Sequence, residues 1–295
     1  MSGAAGRTAF LAYRAGAEIA RALPPALGAP LARVTARGLT SVWATRRRQV
    51  EQNLRQVTGG RLQGDELHAA TAQVFENYAR YWHELFRLSE RDIPTLEERV
   101  ESVGYEHLEA AVADGSGAVL ALPHLGNWDL AGAWLAARGH RVTVVAETVD
   151  PPELFDWFVQ QRRALGMEVV PLGPSALVEV LRAVKTGAVV CLVSDRDITG
   201  DGMPVDFFGA RTAMPGGPAM LALRAGVPLL PTGVAFLPEG RSRAIIGEPL
   251  ATERTGRLRD DVQRVTQDLA HRFEELIGAA PEQWLIMQPV WPELG

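Results

Sequence analysis

Apolar residues recur every three or four positions through the first hundred residues, in stretches at 10–23, 31–50 and 67–88. That period predicts helices, broken at Pro24-Pro25 and Gly59-Gly60. In the third stretch Val74, Phe75, Tyr78, Tyr81, Trp82, Leu85 and Phe86 form one broad stripe, which suits core packing first and lipid contact second. From Gly117 the period changes. Continuous apolar runs at 118–122, 142–146, 168–172 and 189–193 alternate with amphipathic stretches at 128–138, 153–165 and 176–185. Strands apolar on both faces, separated by helices, imply an α/β fold whose central, mostly parallel sheet is flanked by helices. Two more strands, at 228–237 and 241–247, read as an antiparallel hairpin across Pro238-Glu239-Gly240, which makes the sheet mixed; a long helix at 258–277 follows. Between Val193 and Gly217 lie about twenty residues rich in Asp, Gly and Pro, and a connection that long in an α/β domain is functional or disordered. The pair Phe207-Phe208 argues against disorder. No Pro/Ser-rich linker interrupts the alternation, so residues 1–295 are expected to form a single domain, with 1–60 as an N-terminal helical part and 100–295 as the α/β core.

Charge adds a second feature. The chain carries a net charge of -5, which argues against a dedicated nucleic-acid binder. Yet residues 1–48 hold eight arginines against the single acid Glu18. A basic end on an acidic protein suits an anionic membrane surface, and equally a solvated helix face. The stretch at 10–23 is interrupted by Arg14, Glu18 and Arg21, falls short of the ~18 apolar residues of a spanning helix, and reads as lying on a bilayer. One cysteine, Cys191, excludes a disulfide framework; it sits inside an apolar run and reads as core. The histidines other than His124 form no metal-spaced pair, and no metal site is expected.

The densest chemistry is Leu122-Pro123-His124-Leu125-Gly126-Asn127-Trp128-Asp129, between a strand and a helix, where α/β sheets place their ligand crevices. Five residues apart, His124 and Asp129 would not face each other on one helix. With the histidine in the loop and the aspartate in the first turn they can meet, and Asn127 is a natural cap. The Asp129 carboxylate is then expected to hold one ring nitrogen and leave the other free to take a proton, with helix-start amides available to an oxyanion. Such a pair also arises by accident. A second cluster, Ser194-Asp195-Arg196-Asp197-Ile198-Thr199-Gly200-Asp201, again follows a strand and reads either as part of a site or as a solvated turn with a local Asp–Arg pair. Arg162-Arg163 closes a helix, where cations are commonly structural and one of them suits a phosphate. No nucleophile elbow, P-loop or dinucleotide fingerprint is present.

Pro-His-x-Gly-Asn-Trp-Asp, Asp-Arg-Asp, Val-Asp-Phe-Phe-Gly with the following Pro-x-Gly-Pro-Ala, and Pro281-Glu282-Gln283-Trp284 together resemble the bacterial lipid A biosynthesis (late) acyltransferases. Within that family the resemblance is greatest to the actinobacterial phosphatidylinositol mannoside acyltransferases. It implies a glycerol-3-phosphate-acyltransferase-like fold and an O-acyltransferase of the HxxxxD type. By the same resemblance His124, Asp129 and Asp195 are catalytic, and Asp195 stands where the mannoside enzymes have a glutamate. Arg162, Asp201 and Arg224 would line the substrates together with His124. The reaction implied is direct transfer of a fatty acyl group, palmitoyl by resemblance, from acyl-CoA as co-substrate to a mannose hydroxyl of phosphatidylinositol mannoside. No further cofactor is expected, and the enzyme would sit peripherally on the cytoplasmic face of the plasma membrane. Three rivals remain: an acyltransferase for a glycerophosphate or lipid A-type acceptor, a catalytically silent lipid-binding protein, and a hydrolase.

Overall fold

A computed structural model of the chain describes residues 4–22 and 28–291. The predicted break at Pro24-Pro25 and the helix end at Leu23 lie outside the described residues, as do the side chains of Arg7 and Phe10. Helix α1 (Ala4–Ala22) is followed by α2 (Gly28–Val42), α3 (Ala44–Val57) and the long α4 (Gly64–Arg87). The stretch at 31–50 is therefore two helices and not one. The break is at Trp43, whose φ of -101° and ψ of 54° are not helical. It lets both halves bury residues against α4: Ala36 from one, Val50 and Leu54 from the other, with Leu67, Val74 and Phe75. No described helix is long and apolar enough to cross a membrane.

A single turn, α5 (Leu96–Arg99), leads into β1 (Val100–Val103), which the apolar pattern does not predict, and then α6 (Tyr105–Val112). The core alternates as expected: β2 (Ala118–Leu122), α7 (Trp128–Ala137), β3 (Val142–Ala146), α8 (Pro152–Ala164), β4 (Met167–Pro171), α9 (Ala176–Lys185), β5 (Val189–Val193). After the long connection come β6 (Met203–Phe207), β7 (Ala210–Met214), α10 (Gly217–Ala225), β8 (Leu229–Phe236), β9 (Ser242–Ile246) and α11 (Leu258–Ala279). The seven-stranded sheet has the order β1-β9-β8-β2-β5-β3-β4. Strands β8, β2, β5, β3 and β4 run parallel; β9 pairs antiparallel with β8, and β1 parallel with β9. The sheet is mixed in the expected way.

Strand β2 shows why the centre of this sheet is continuously apolar. Val119 and Ala121 pack on one side with α10 and α11 residues such as Ala222 and Leu269, while Ala118, Leu120 and Leu122 pack on the other with Leu130 and Trp134 of α7. The period of two sends alternate residues to two different cores.

The connection between Val193 and Gly217 is ordered around a hairpin, β6–β7, in which Phe207 pairs with Ala210. Phe208 (φ 50°) and Gly209 (φ 76°) both occupy the left-handed region that a two-residue hairpin turn requires. Phe208 tolerates it because its backbone is held from two sides: its amide donates to Glu274, and its carbonyl accepts from Gln56 Nε2 at 2.7 Å. Phe207 is fully buried and stacks on Trp291 at 5.8 Å.

Candidate functional site

Strand β2 ends at Leu122 beside Val193 of β5, so the residues that follow both strands emerge side by side. His124 leaves β2 and Asp195 leaves β5. They meet twice: the His124 amide donates to Asp195 Oδ2 at 2.8 Å, and ring Nδ1 lies 2.6 Å from Oδ1. Trp284 Nε1 donates to Oδ2 at 2.7 Å. Burial alone would raise the Asp195 carboxyl; the imidazole of His124 and these three hydrogen bonds outweigh it and hold the group below its ordinary range. An ionised carboxylate only accepts, so Nδ1 carries the proton and Nε2 is left free. Nε2 makes no hydrogen bond among the described residues, and the ring lines a cavity of about 350 Å³.

Asp129 does not hold the histidine. It is the buried partner of Arg162, whose Nε and Nη2 donate to its two oxygens at 2.7 and 3.1 Å, and it accepts from the Tyr81 hydroxyl at 2.7 Å. The first turn of α7 aims Asp129 at α8 and α4, away from the loop that carries His124. This corrects the expected His124–Asp129 dyad: the sheet neighbour Asp195, and not the helix neighbour, orients the ring. The Nε–Nη2 edge of Arg162, which lines the same cavity as His124, is engaged on a carboxylate. Burial works against the Arg162 charge, but Asp129 beside it more than restores it. Burial and the Asp129 charge push the Tyr81 hydroxyl well above its usual value, so it remains a donor. Asp129 reaches the histidine only through packing: Tyr81 stacks on Trp128 at 4.3 Å, and Trp128 meets the His124 ring edge-on at 5.3 Å.

The loop itself is fixed from outside. Asn127 caps α7 by accepting from the Leu130 amide at 3.0 Å, and its Nδ2 donates to Glu84 of α4 at 2.8 Å. The Gly126 amide donates to the Gln283 carbonyl at 3.1 Å and the Leu285 amide to the His124 carbonyl at 2.8 Å, a short antiparallel bridge. Gly126 has φ of 61°, and a β-carbon there would lie 2.2 Å from the Val234 carbonyl oxygen. Only glycine fits. The amides of His124, Leu125 and Gly126 are thus occupied, by Asp195, the Pro123 carbonyl and Gln283. Among the described residues those of Trp128 and Asp129, at the start of α7, carry no hydrogen bond.

Behind His124 the cavity runs between α7 and the sheet, with Leu120, Leu122 and Trp134 as walls and Met167 beneath Gly132; Trp82 and Phe158 line it as well. Cys191 also lines it; burial pushes its thiol up to about 12, so it is an inert wall residue. Asp201 and Arg224 do not join this cluster. Asp201 is exposed in the loop after Asp195 and accepts from the Thr199 hydroxyl, and Arg224 is exposed in the last turn of α10. Trp284, Tyr81 and Trp128 are the site's support, and no local spacing in the sequence announces their contacts. The nearest signal is the Pro-Glu-Gln-Trp segment that ends in Trp284.

Comparison with known proteins gives consistent matches. The sequence model of a family described as bacterial lipid A biosynthesis acyltransferase matches residues 5–293. A phosphatidylinositol mannoside acyltransferase of Mycobacterium tuberculosis is 45% identical over 221 residues, covering 73% of this chain and 68% of that protein. One of the same name from Mycolicibacterium smegmatis is 39% identical over 295 residues, 97% of this chain and 92% of the relative. A lipid A biosynthesis acyltransferase of Haemophilus influenzae is 26% identical over 229 residues, covering 75% of this chain and 66% of its own length.

Proposed function

The chain belongs to the bacterial lipid A biosynthesis acyltransferase family, and from that premise we propose that it moves a palmitoyl group from acyl-CoA to a mannose hydroxyl of phosphatidylinositol mannoside, with His124 as general base. One observation carries the reading: a histidine nitrogen freed by the Asp195 contact at the mouth of an apolar cavity. Such a cavity suits an alkyl chain, at about 0.8 kcal/mol for each methylene it removes from water. In the proposed step Nε2 takes the proton of the acceptor hydroxyl as its oxygen attacks the thioester carbonyl. The Trp128 and Asp129 amides face the developing oxyanion. The tetrahedral adduct then expels the CoA thiolate, which takes the proton from Nε2. Asp195 supports the imidazolium in between, and no acyl-enzyme is needed.

The test is incubation of the purified protein with labelled palmitoyl-CoA and, in parallel, phosphatidylinositol mannoside, a glycerophosphate and a lipid A-type acceptor. Label is expected on the mannoside. Label on another acceptor reassigns the substrate; free palmitate without acceptor makes the protein a hydrolase; binding without turnover makes it a silent lipid binder. His124→Ala is expected to lower transfer by about 10²- to 10⁴-fold with an unchanged melting temperature.

The same reading puts the protein on the cytoplasmic face of the plasma membrane. Helix α1 packs on α4 through Tyr13 and Ala17, which leaves Leu11 and Ile19 exposed on its other side, and α2 leaves Val34 and Val42 exposed. With the arginines of residues 1–48 these positions suit an anionic bilayer, each basic residue contributing roughly 1 kcal/mol, screened by salt. Co-sedimentation with phosphatidylinositol vesicles is expected to weaken as salt rises and to fall sharply for Leu11→Glu/Ile19→Glu. Undiminished pelleting of that variant moves the contact surface elsewhere.

A further inference from the structure

Arg196 follows Asp195 and lines the cavity that His124 opens into. Asp-Arg-Asp invites a local ion pair, and none forms. Asp195 is fully taken up by His124 and Trp284. Asp197 turns into its own loop, accepting from the Gly200 and Gly202 amides at 2.9 and 3.0 Å. The other arginine of the cavity, Arg162, is closed on Asp129. Glu147, an exposed acid at the rim, makes no ion pair with Arg196. Arg196 is half-buried yet carries no hydrogen bond or ion pair among the described residues. A guanidinium held in a cavity wall with its five donors unmatched is poised for an anion with paired oxygens.

We propose that Arg196 is a substrate-binding residue whose guanidinium grips a phosphate group at the mouth of the catalytic cavity. This rests on the acyl-transfer reading only for which phosphates are at hand. Two sources share the chemistry: the diphosphate of the CoA donor, and the phosphodiester of the acceptor, one inositol ring from the mannose. The fork gives two parallel N–H donors to two phosphate oxygens, while Asp195, on the preceding residue, stays with His124.

The experiment compares Arg196→Ala and Arg196→Lys with the wild type in the full chain. Two titrations need no turnover: CoA and water-soluble glycerophosphoinositol. Transfer is then measured with palmitoyl-CoA and with a phosphate-free palmitoyl thioester of N-acetylcysteamine. Arg196→Ala is expected to weaken one ligand by about 10- to 100-fold, and Arg196→Lys by less, because a point charge replaces the fork. If the donor is held, CoA affinity falls and KM rises for palmitoyl-CoA but not for the short thioester. If the acceptor is held, glycerophosphoinositol affinity falls and the acceptor KM rises with either donor. In both cases kcat is expected to stay within about threefold, since the histidine and its carboxylate are untouched. Equal affinities for both ligands in the wild type and Arg196→Ala overturn the assignment, as does a wild type that binds neither. A wild type that binds one ligand through Arg196 yet transfers nothing refutes the acyl-transfer reading alone.

Discussion

Asp195→Asn is expected to lower acyl transfer by about 10⁴-fold, the loss seen when the carboxylate behind a catalytic histidine becomes an amide. The physical cause is the tautomer. An amide has one accepting oxygen, which the His124 backbone amide and the Trp284 indole would share, and its nitrogen would donate to Nδ1. The ring proton then moves to Nε2, which can no longer take a proton from a hydroxyl. Stability shifts as well, with a definite sign. The Asp195 carboxyl is depressed in the folded protein, so its contribution is present above the carboxyl's unfolded value and is lost as the pH falls through the depressed one. The gap in melting temperature between wild type and variant is expected to be widest near neutrality and to narrow in acid. Steady-state rates and melts across pH check both statements; a variant with more than about a hundredth of wild-type kcat/KM refutes the orienting role.

Breaking the other carboxylate pair is expected to show mainly in stability. Asp129→Ala leaves a guanidinium with 16% side-chain exposure facing no anion, and Arg162→Ala leaves a carboxylate with 3%. Removing one partner of a buried pair typically costs about 3–5 kcal/mol. Removing both is expected to cost distinctly less than the sum, because neither charge is then stranded. Denaturant melts of the two single variants and the double variant measure this. Activity falls with them because Trp128, which meets the His124 ring, sits on the turn that Asp129 anchors. If Arg162→Ala melts like the wild type while its KM for acyl-CoA rises, Arg162 is a donor-binding residue after all.

The two aspartates show what a sequence carries and what it leaves out. The spacing from His124 to Asp129 is local and visible, and so is the helix start between them; the contact it suggests does not form. The contact that does form joins residues 71 apart. It depends on β2 lying beside β5, and not beside β3, which follows it in the chain. No periodicity encodes strand order. The central strands were legible because both their faces are buried. Strand β1 was not: of its four residues only Val100 is buried, and Glu101 faces Arg241 and Arg243 of the neighbouring strand segment at a solvated edge. The hairpin β6–β7 carries a weak sequence signal because its turn places a phenylalanine where glycine or asparagine is usual.

The bridge between the histidine loop and residues 283–285 has a kinetic consequence. Trp284 reaches Asp195 across 89 residues of chain, and Asn53 of α3 donates to the Ile286 carbonyl across 233. Contacts of such long range carry a greater loop-closure cost than local ones. During synthesis the α/β core can therefore condense around β2 and β5 while the histidine loop still lacks its outer wall. Asp195 orients the ring, while the outer support of the loop and of Asp195 arrives only when the segment from Pro281 onward docks. The outer wall of the catalytic centre is thus built by a segment that follows α11, remote in the chain from the histidine loop it supports.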